Sequence, residues 1–216
     1  LNNTRAPLDD VNCRRALAYA VDYEVIHSLE EIRPGLTGAK ASHGPLLETM
    51  AGFDPELPPF AKRDLAKAKA ELALCKYKPG NHRIDIIWMS SNRKTERFAL
   101  LLQNNWKDLG FESDISPRVW AHFVTQVSKA ETAPMVSPVY VSPALPDPDA
   151  YLYQSYHSSR GGQWSAGSHF SDAEVDRMLE KGRTMSVGPE RTNLYKKVNA
   201  RIRDQQAAIF AMQMVN

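Results

Sequence analysis

The sequence predicts an α/β fold, a mixed sheet with a right-handed strand-helix-strand unit flanked by helices. Three observations predict it. Residues 83–89 place apolar side chains at every second position, as a half-buried strand does. The helix that Thr95 can cap carries apolar residues at helical spacing and stops at Gly110. Residues 111–116 form a second strand, and such a crossover makes the two strands parallel and its connection right-handed.

The chain before this unit predicts two helices and a loop. Asp9 or Asp10 can cap the first helix, and Asp64 can cap a second, alanine-rich one. Between them, residues 32–60 hold five prolines and four glycines. This composition predicts a long irregular loop, and loops of this length are usually functional.

The chain after this unit alternates helices with apolar segments. Pro117 is predicted to open a helix. Residues 135–141 are predicted to form a third strand, at an edge or a bulge because Pro138 interrupts it. Ser171–Glu174 has the spacing of a capping box for the next helix. Residues 207–216 are apolar and long enough for a final strand.

Composition and charge exclude several classes of protein. The 216 residues are 43% hydrophobic, and 27 basic against 25 acidic residues give a net charge of +2. The composition excludes wholesale disorder. Duplex binding needs a concentrated basic stripe, whereas doublets such as Arg14–Arg15 are interpreted as solvated helix faces, so no nucleic-acid partner is expected. No run of 18 apolar residues occurs, so no transmembrane helix is predicted.

Cysteine and histidine placement indicates neither a metal site nor catalysis. Cys13 and Cys75 lie far apart in the sequence and lack the paired spacing of zinc ligands. They are interpreted as two buried thiols, and a disulfide is the alternative if the protein is exported. No HExxH, nucleophile elbow or phosphate-binding loop is present. Asp147 and Asp149 are interpreted as helix-start carboxylates. We therefore expect no cofactor, no metal, no catalytic residue and no enzymatic activity.

One segment resembles a known family. Residues 8–22, LDDVNCRRALAYAVD, are similar to the "fDDvrVRrAlayAiD" segment of bacterial extracellular solute-binding proteins of family 5, the dipeptide, oligopeptide and nickel binding proteins of ABC importers. Later segments that resemble this family follow in the same order: 64–72, 109–111, 119–120, 146–148 and 170–176.

The resemblance implies a periplasmic-binding-protein-like lobe. Residues 1–216 would be a single C-terminal ligand-binding lobe without its N-terminal lobe, and residues 207–216 would begin the strand that returns towards that lobe. It also implies a signal peptide upstream of Leu1 and a periplasmic or extracytoplasmic location. The expected partners are a small-molecule solute, an ABC permease in the cytoplasmic membrane and the protein's own N-terminal lobe. The solute could be a peptide, an opine or an oligosaccharide.

The same resemblance implies a set of ligand-binding residues. They are Trp120, Tyr140, Val141, Ser142, Ala144, Asp147 and His43. Ala144 falls where peptide binders place the aspartate that holds the ligand's ammonium group. Either another group, with Asp147 as candidate, binds the amine, or the solute is not a simple free-amine peptide. Arg118 leaves open whether the pocket accepts an anionic or neutral ligand or whether this arginine is only a solvated helix-start residue.

Two other functions stay open on the sequence alone. A cytoplasmic α/β enzyme would place its active site at the strand ends of the same crossover unit. A regulatory module could have derived from a binding lobe. The coding sequence upstream of Leu1 discriminates among them, because a signal peptide favours transport and a catalytic domain favours an enzyme.

Overall fold

A computed structural model describes residues 1–142 and 145–215. The helices are α1 (Val11–Tyr19), α2 (Tyr23–Ser28), α3 (Leu65–Leu74), α4 (Arg93–Lys107), α5 (Trp120–Val127), α6 (Pro148–Tyr156), α7 (Ala173–Thr184) and α8 (Pro189–Asp204). The strands are β1 (Glu31–Arg33), β2 (Leu36–Thr37), β3 (Ala39–Lys40), β4 (Arg83–Met89), β5 (Glu112–Arg118) and β6 (Gln213–Met214). Across the described ranges, no helix combines the length and hydropathy that a bilayer-spanning segment requires.

The strand-helix-strand unit is confirmed. β4 and β5 pair in parallel, with Ile86 opposite Ile115, and α4 connects them. The cap of α4 is Asn92 and not Thr95, because the Asn92 side chain accepts from the backbone N–H of Lys94. Thr95 instead accepts from the N–H of Met89 at 3.0 Å, which fastens the first turn of the helix to the end of β4.

The predicted start of α5 and the predicted third strand are both wrong. Pro117 lies inside β5, opposite Trp88, and α5 begins at Trp120. The third strand is reduced to a parallel bridge between Ile86 and Val136. Pro138 has no N–H to donate, so the segment cannot continue a ladder through that position. The described strands accordingly form three two-stranded sheets.

The predicted capping box of α7 is also wrong. The cap is Asp172, whose carboxylate accepts from the N–H groups of Glu174 and Val175 at 2.9 and 3.0 Å. Arg201 of α8 donates to the same carboxylate, so this cap also joins the two helices. Asp10 and Asp64 cap α1 and α3, as expected.

The proline-rich segment 32–60 contains short strands as well as irregular chain. β1 and β2 form an antiparallel hairpin. β3 pairs antiparallel with β6, so that Lys40 lies opposite Gln213. The last described residues, which we expected to be extended, therefore lie against this segment. The division of the chain into a lobe, a loop and a return strand stays a prediction.

Cys13 and Cys75 form a disulfide, with their Cα atoms 5.0 Å apart. The interpretation as two separate thiols is therefore wrong. The bond joins the buried face of α1 to the C-terminal end of α3, across 62 positions of sequence. Sequence spacing cannot predict this pairing, because α1 and α3 must pack together before the two sulfur atoms come close.

Arg14 corrects the interpretation of the basic doublet. Its side chain is buried, and its guanidinium donates to the carbonyl groups of Leu8, Gln205 and Gln206. Burial lowers its pKa to about 10. Arg15 donates to the carbonyl of Asp204, so the doublet covers the carbonyl groups at the C-terminal end of α8.

Candidate functional site

A cavity of about 380 Å³ opens where several segments of the chain meet. Among them are residues 42–47, 134–142, 151–156, 164–168 and 208–214. Tyr140, Val141 and Ser142 line it, so three of the predicted ligand-binding residues lie together. A concave, largely apolar surface with a few polar groups is the usual form of a small-molecule site.

Tyr140 is held by a buried carboxylate that is itself paired with a half-exposed lysine. Tyr140 is 37% exposed, and its hydroxyl donates to Oε1 of Glu30. Oε2 of Glu30 lies 2.6 Å from Nζ of Lys94, and the Glu30 side chain is 1% exposed. Burial and the hydrogen bond to Glu30 raise the pKa of Tyr140 well above its usual value, so the phenol keeps its proton.

Two further tyrosines line the cavity from α6. Tyr151 and Tyr156 have ring centroids 6.5 Å apart and nearly perpendicular planes. Loss of hydration raises the pKa of Tyr151 to about 12 and that of Tyr156 well above its usual value. Both phenols are neutral near neutral pH and offer hydroxyl groups beside an apolar surface.

Residues 137–142 form one wall of the cavity. Val136 is the last residue of this segment to bond β4, with its N–H donating to Asp85 and its C=O accepting from Ile87. Beyond it, the C=O groups of residues 137–142, and the N–H groups of all of them except Pro138, which has none, form no backbone hydrogen bond with any described residue. These donors and acceptors are therefore not used by the backbone of the described residues.

The wall formed by residues 208–214 was not among the predicted site residues. Gln213 fixes it, because its side chain donates to the carbonyl of Leu46 and accepts from the N–H of Glu48. His27 contacts the carbonyl of Ala211 at 3.1 Å. The apolar composition of this segment was the available signal, but composition does not reveal that the segment lines a cavity.

Trp120 lies beside the cavity but does not line it. It begins α5, is 46% exposed, and packs against Phe123 and Trp164 at 5.4 and 5.3 Å between ring centroids. Trp164 lines the cavity. An aromatic surface therefore continues outward from the cavity to Trp120.

Asp147 and His43 lie outside the cavity lining. Asp147 caps α6 and forms two hydrogen bonds with Arg191, at 2.9 and 3.0 Å. The Arg191 guanidinium holds the pKa of this carboxyl below its usual range. His43 packs edge-on against Phe53 and contacts the carbonyl of Leu57. Ala144 lies outside the described residues. The roles of these three residues stay predictions.

The Arg118 guanidinium forms hydrogen bonds with neighbouring groups of the chain. It ends β5, and its guanidinium donates to Gln126, to the Ser116 hydroxyl and to the carbonyl of Pro117. It is therefore not a helix-start residue. Among the described residues, Asp10, Cys13 and Cys75 bring three metal-ligand atoms within 4.8 Å, but both sulfur atoms belong to the disulfide.

An aromatic cavity beside an α/β crossover unit has the usual form of a small-molecule binding site. A family model described as "Bacterial extracellular solute-binding proteins, family 5 Middle" matches residues 1–163. The chain belongs to this family, and the resemblance found in its first helix is confirmed.

Relatives in sequence cover nearly all of the chain. It is 25% identical over 214 residues to "Probable D,D-dipeptide-binding periplasmic protein DdpA" of Escherichia coli (strain K12), covering 99% of this chain and 40% of that protein. It is 28% identical over 208 residues to "Heme-binding protein A" of Haemophilus influenzae (strain ATCC 51907 / DSM 11121 / KW20 / Rd), covering 94% of this chain and 36% of that protein. The chain thus spans about two fifths of the length of these curated relatives.

Solved structures share the fold. HbpA2 from Haemophilus parasuis superposes with a TM-score of 0.85 at 23% identity, over 97% of this chain and 40% of that one. NikZ from Campylobacter jejuni, in complex with Ni(L-His), gives a TM-score of 0.83 at 23% identity, over 99% of this chain and 44% of that one. The predicted fold class, a periplasmic-binding-protein-like lobe, is confirmed.

Proposed function

We propose that this chain is one lobe of the substrate-binding component of an ABC importer, and that it captures a peptide-like or other small polar solute outside the cytoplasmic membrane. The second lobe would close over the cavity by a hinge motion, and the closed form would deliver the solute to a membrane permease. Family membership and the periplasmic, dipeptide-binding name of a relative support this proposal.

The observation that carries the peptide-like class is the open backbone of residues 137–142. An extended peptide can pair its own N–H and C=O groups with such a wall, as added strands do at sheet edges. The tyrosines across the cavity would then contact its side chains. An opine joins its parts through a secondary amine and an oligosaccharide through glycosidic oxygens, so neither offers the paired N–H and C=O of a peptide group to this wall.

Thermal shift on the full-length protein tests this proposal. Because a ligand that binds the native state raises the melting temperature with concentration, Ala-Ala, an opine and an oligosaccharide can be compared directly. We expect the peptide to give the largest shift. A shift with the oligosaccharide alone would contradict the peptide class, and turnover of a bound solute would contradict the binding function.

A substitution of Trp120, compared with a control substitution away from the cavity, gives a second test of this proposal. If its exposed indole contacts the solute when the lobes close, Trp120→Ala should weaken peptide binding by about 1 kcal/mol or more. Leu74→Ala, which removes an exposed apolar side chain outside the cavity, is the control and should bind as the wild type does. Equal affinities in Trp120→Ala and the control would place Trp120 outside the binding surface.

A further inference from the structure

The hydrogen-bond direction at Tyr140 is fixed by the residues behind it. Glu30 is buried and paired with Lys94, and an ionised carboxylate only accepts hydrogen bonds. The Tyr140 hydroxyl therefore has to donate its proton to Glu30. What remains on that oxygen is lone-pair density, so Tyr140 is an acceptor towards any group that approaches it.

The other charged side chains that we considered as contacts for the solute already form hydrogen bonds within the protein. Asp147 is bonded by Arg191, and Arg118 is bonded by Gln126 and Ser116. Tyr140, in contrast, lines the cavity and is partly exposed. A free peptide has one end that donates, its ammonium group, and one end that only accepts, its carboxylate. Only the ammonium end is compatible with an oriented acceptor.

We propose that Tyr140 is a specificity-determining residue that receives the amino end of a peptide solute, and that Glu30 and Lys94 are positioning residues that set its polarity. The inference rests on the proposed peptide-binding function. The carboxylate end is excluded from Tyr140 because two acceptors would face each other there. A buried acceptor without a donor costs free energy, so this wall discriminates between the two ends of the solute.

The test uses three solutes on the full-length protein, compared by isothermal titration calorimetry. Alanyl-alanine, lactoyl-alanine and pyruvoyl-alanine carry an ammonium, a hydroxyl and a carbonyl group at the same position. We expect affinity to fall in that order. Tyr140→Phe should reduce the preference for alanyl-alanine over pyruvoyl-alanine about tenfold, in line with one hydrogen bond to a charged group. Tyr77→Phe, which removes a tyrosine-carboxylate hydrogen bond away from the cavity, should leave the preference unchanged.

Glu30→Gln supplies a result that a purely structural role would not give. The Lys94 ammonium needs an acceptor, so the amide oxygen should turn towards it and the amide NH₂ towards Tyr140. Tyr140 then becomes free to donate into the cavity, and the preference should move towards pyruvoyl-alanine.

The two proposals fail in different ways. If the wild type binds none of the three solutes, the peptide-binding function is wrong and this inference falls with it. If the wild type binds them and Tyr140→Phe and Glu30→Gln keep its order of affinities, only this inference is overturned.

Discussion

Removal of the Cys13–Cys75 disulfide should destabilise the packing of α1 on α3. The bond closes a loop of 62 positions, and the loss of that restraint on the unfolded chain is worth about 4 kcal/mol in the chain-entropy model. The variant should be Cys13→Ala with Cys75→Ala. Serine would place a hydroxyl group at position 13, which is fully buried, and would add an unrelated cost.

Native-state hydrogen exchange on the full-length protein is the appropriate assay, because it reports the opening free energy of α1 separately from the rest of the molecule. We expect the α1 amides to lose about 4 kcal/mol of protection in the double variant. The reduced wild type should show the same loss. A change of less than about 1 kcal/mol would mean that helix packing, and not the covalent link, determines the stability of this region.

Two further changes test the packing around α8. Arg191 lowers the pKa of Asp147, so this carboxylate should stabilise the fold above about pH 4 and lose that contribution as the pH falls through its folded value. Asp147→Asn should therefore cost about 1 kcal/mol at neutral pH and flatten the acid limb of urea unfolding, and an unchanged pH profile would contradict this. Gly52 has φ of +88°, and an added Cβ would lie 2.7 Å from Cβ of Tyr195, so Gly52→Ala should lower stability by about 2 kcal/mol or more. Gly80→Ala, with open space around it, is the control, and equal melting temperatures for the two variants would refute the steric argument.

The sequence predicts those parts of the fold that local patterns determine. The alternation in β4 and the spacing in α4 were sufficient for the crossover unit. The N-cap at Asp10 also follows from local chemistry. Where two nearby residues could both cap a helix, the sequence did not identify the one that does. Asn92 and Thr95 can both cap a helix, and the N–H of Met89 decides between them by occupying the threonine hydroxyl.

The candidate site was predictable only in part, because its walls come from distant segments. Tyr140, Val141 and Ser142 were predicted through a family pattern, and all three line the cavity. Glu30 gave no signal, since a glutamate near a helix end is usually solvated, and its burial depends on Lys94 and Tyr140. Partners that are 64 and 110 positions away cannot be inferred from local spacing.

The arginine doublet has a practical consequence for protein engineering. Redesign of surface charge would treat Arg14 and Arg15 as replaceable, since α1 otherwise resembles an ordinary amphipathic helix. Arg14 contacts three carbonyl groups with one planar guanidinium, and the point charge of a lysine could not reproduce this geometry. The chain leaves α8 at the carbonyls of Gln205 and Gln206 on its way to residues 208–214, so neutral substitutions at this doublet would disturb one wall of the cavity without changing any residue that lines it.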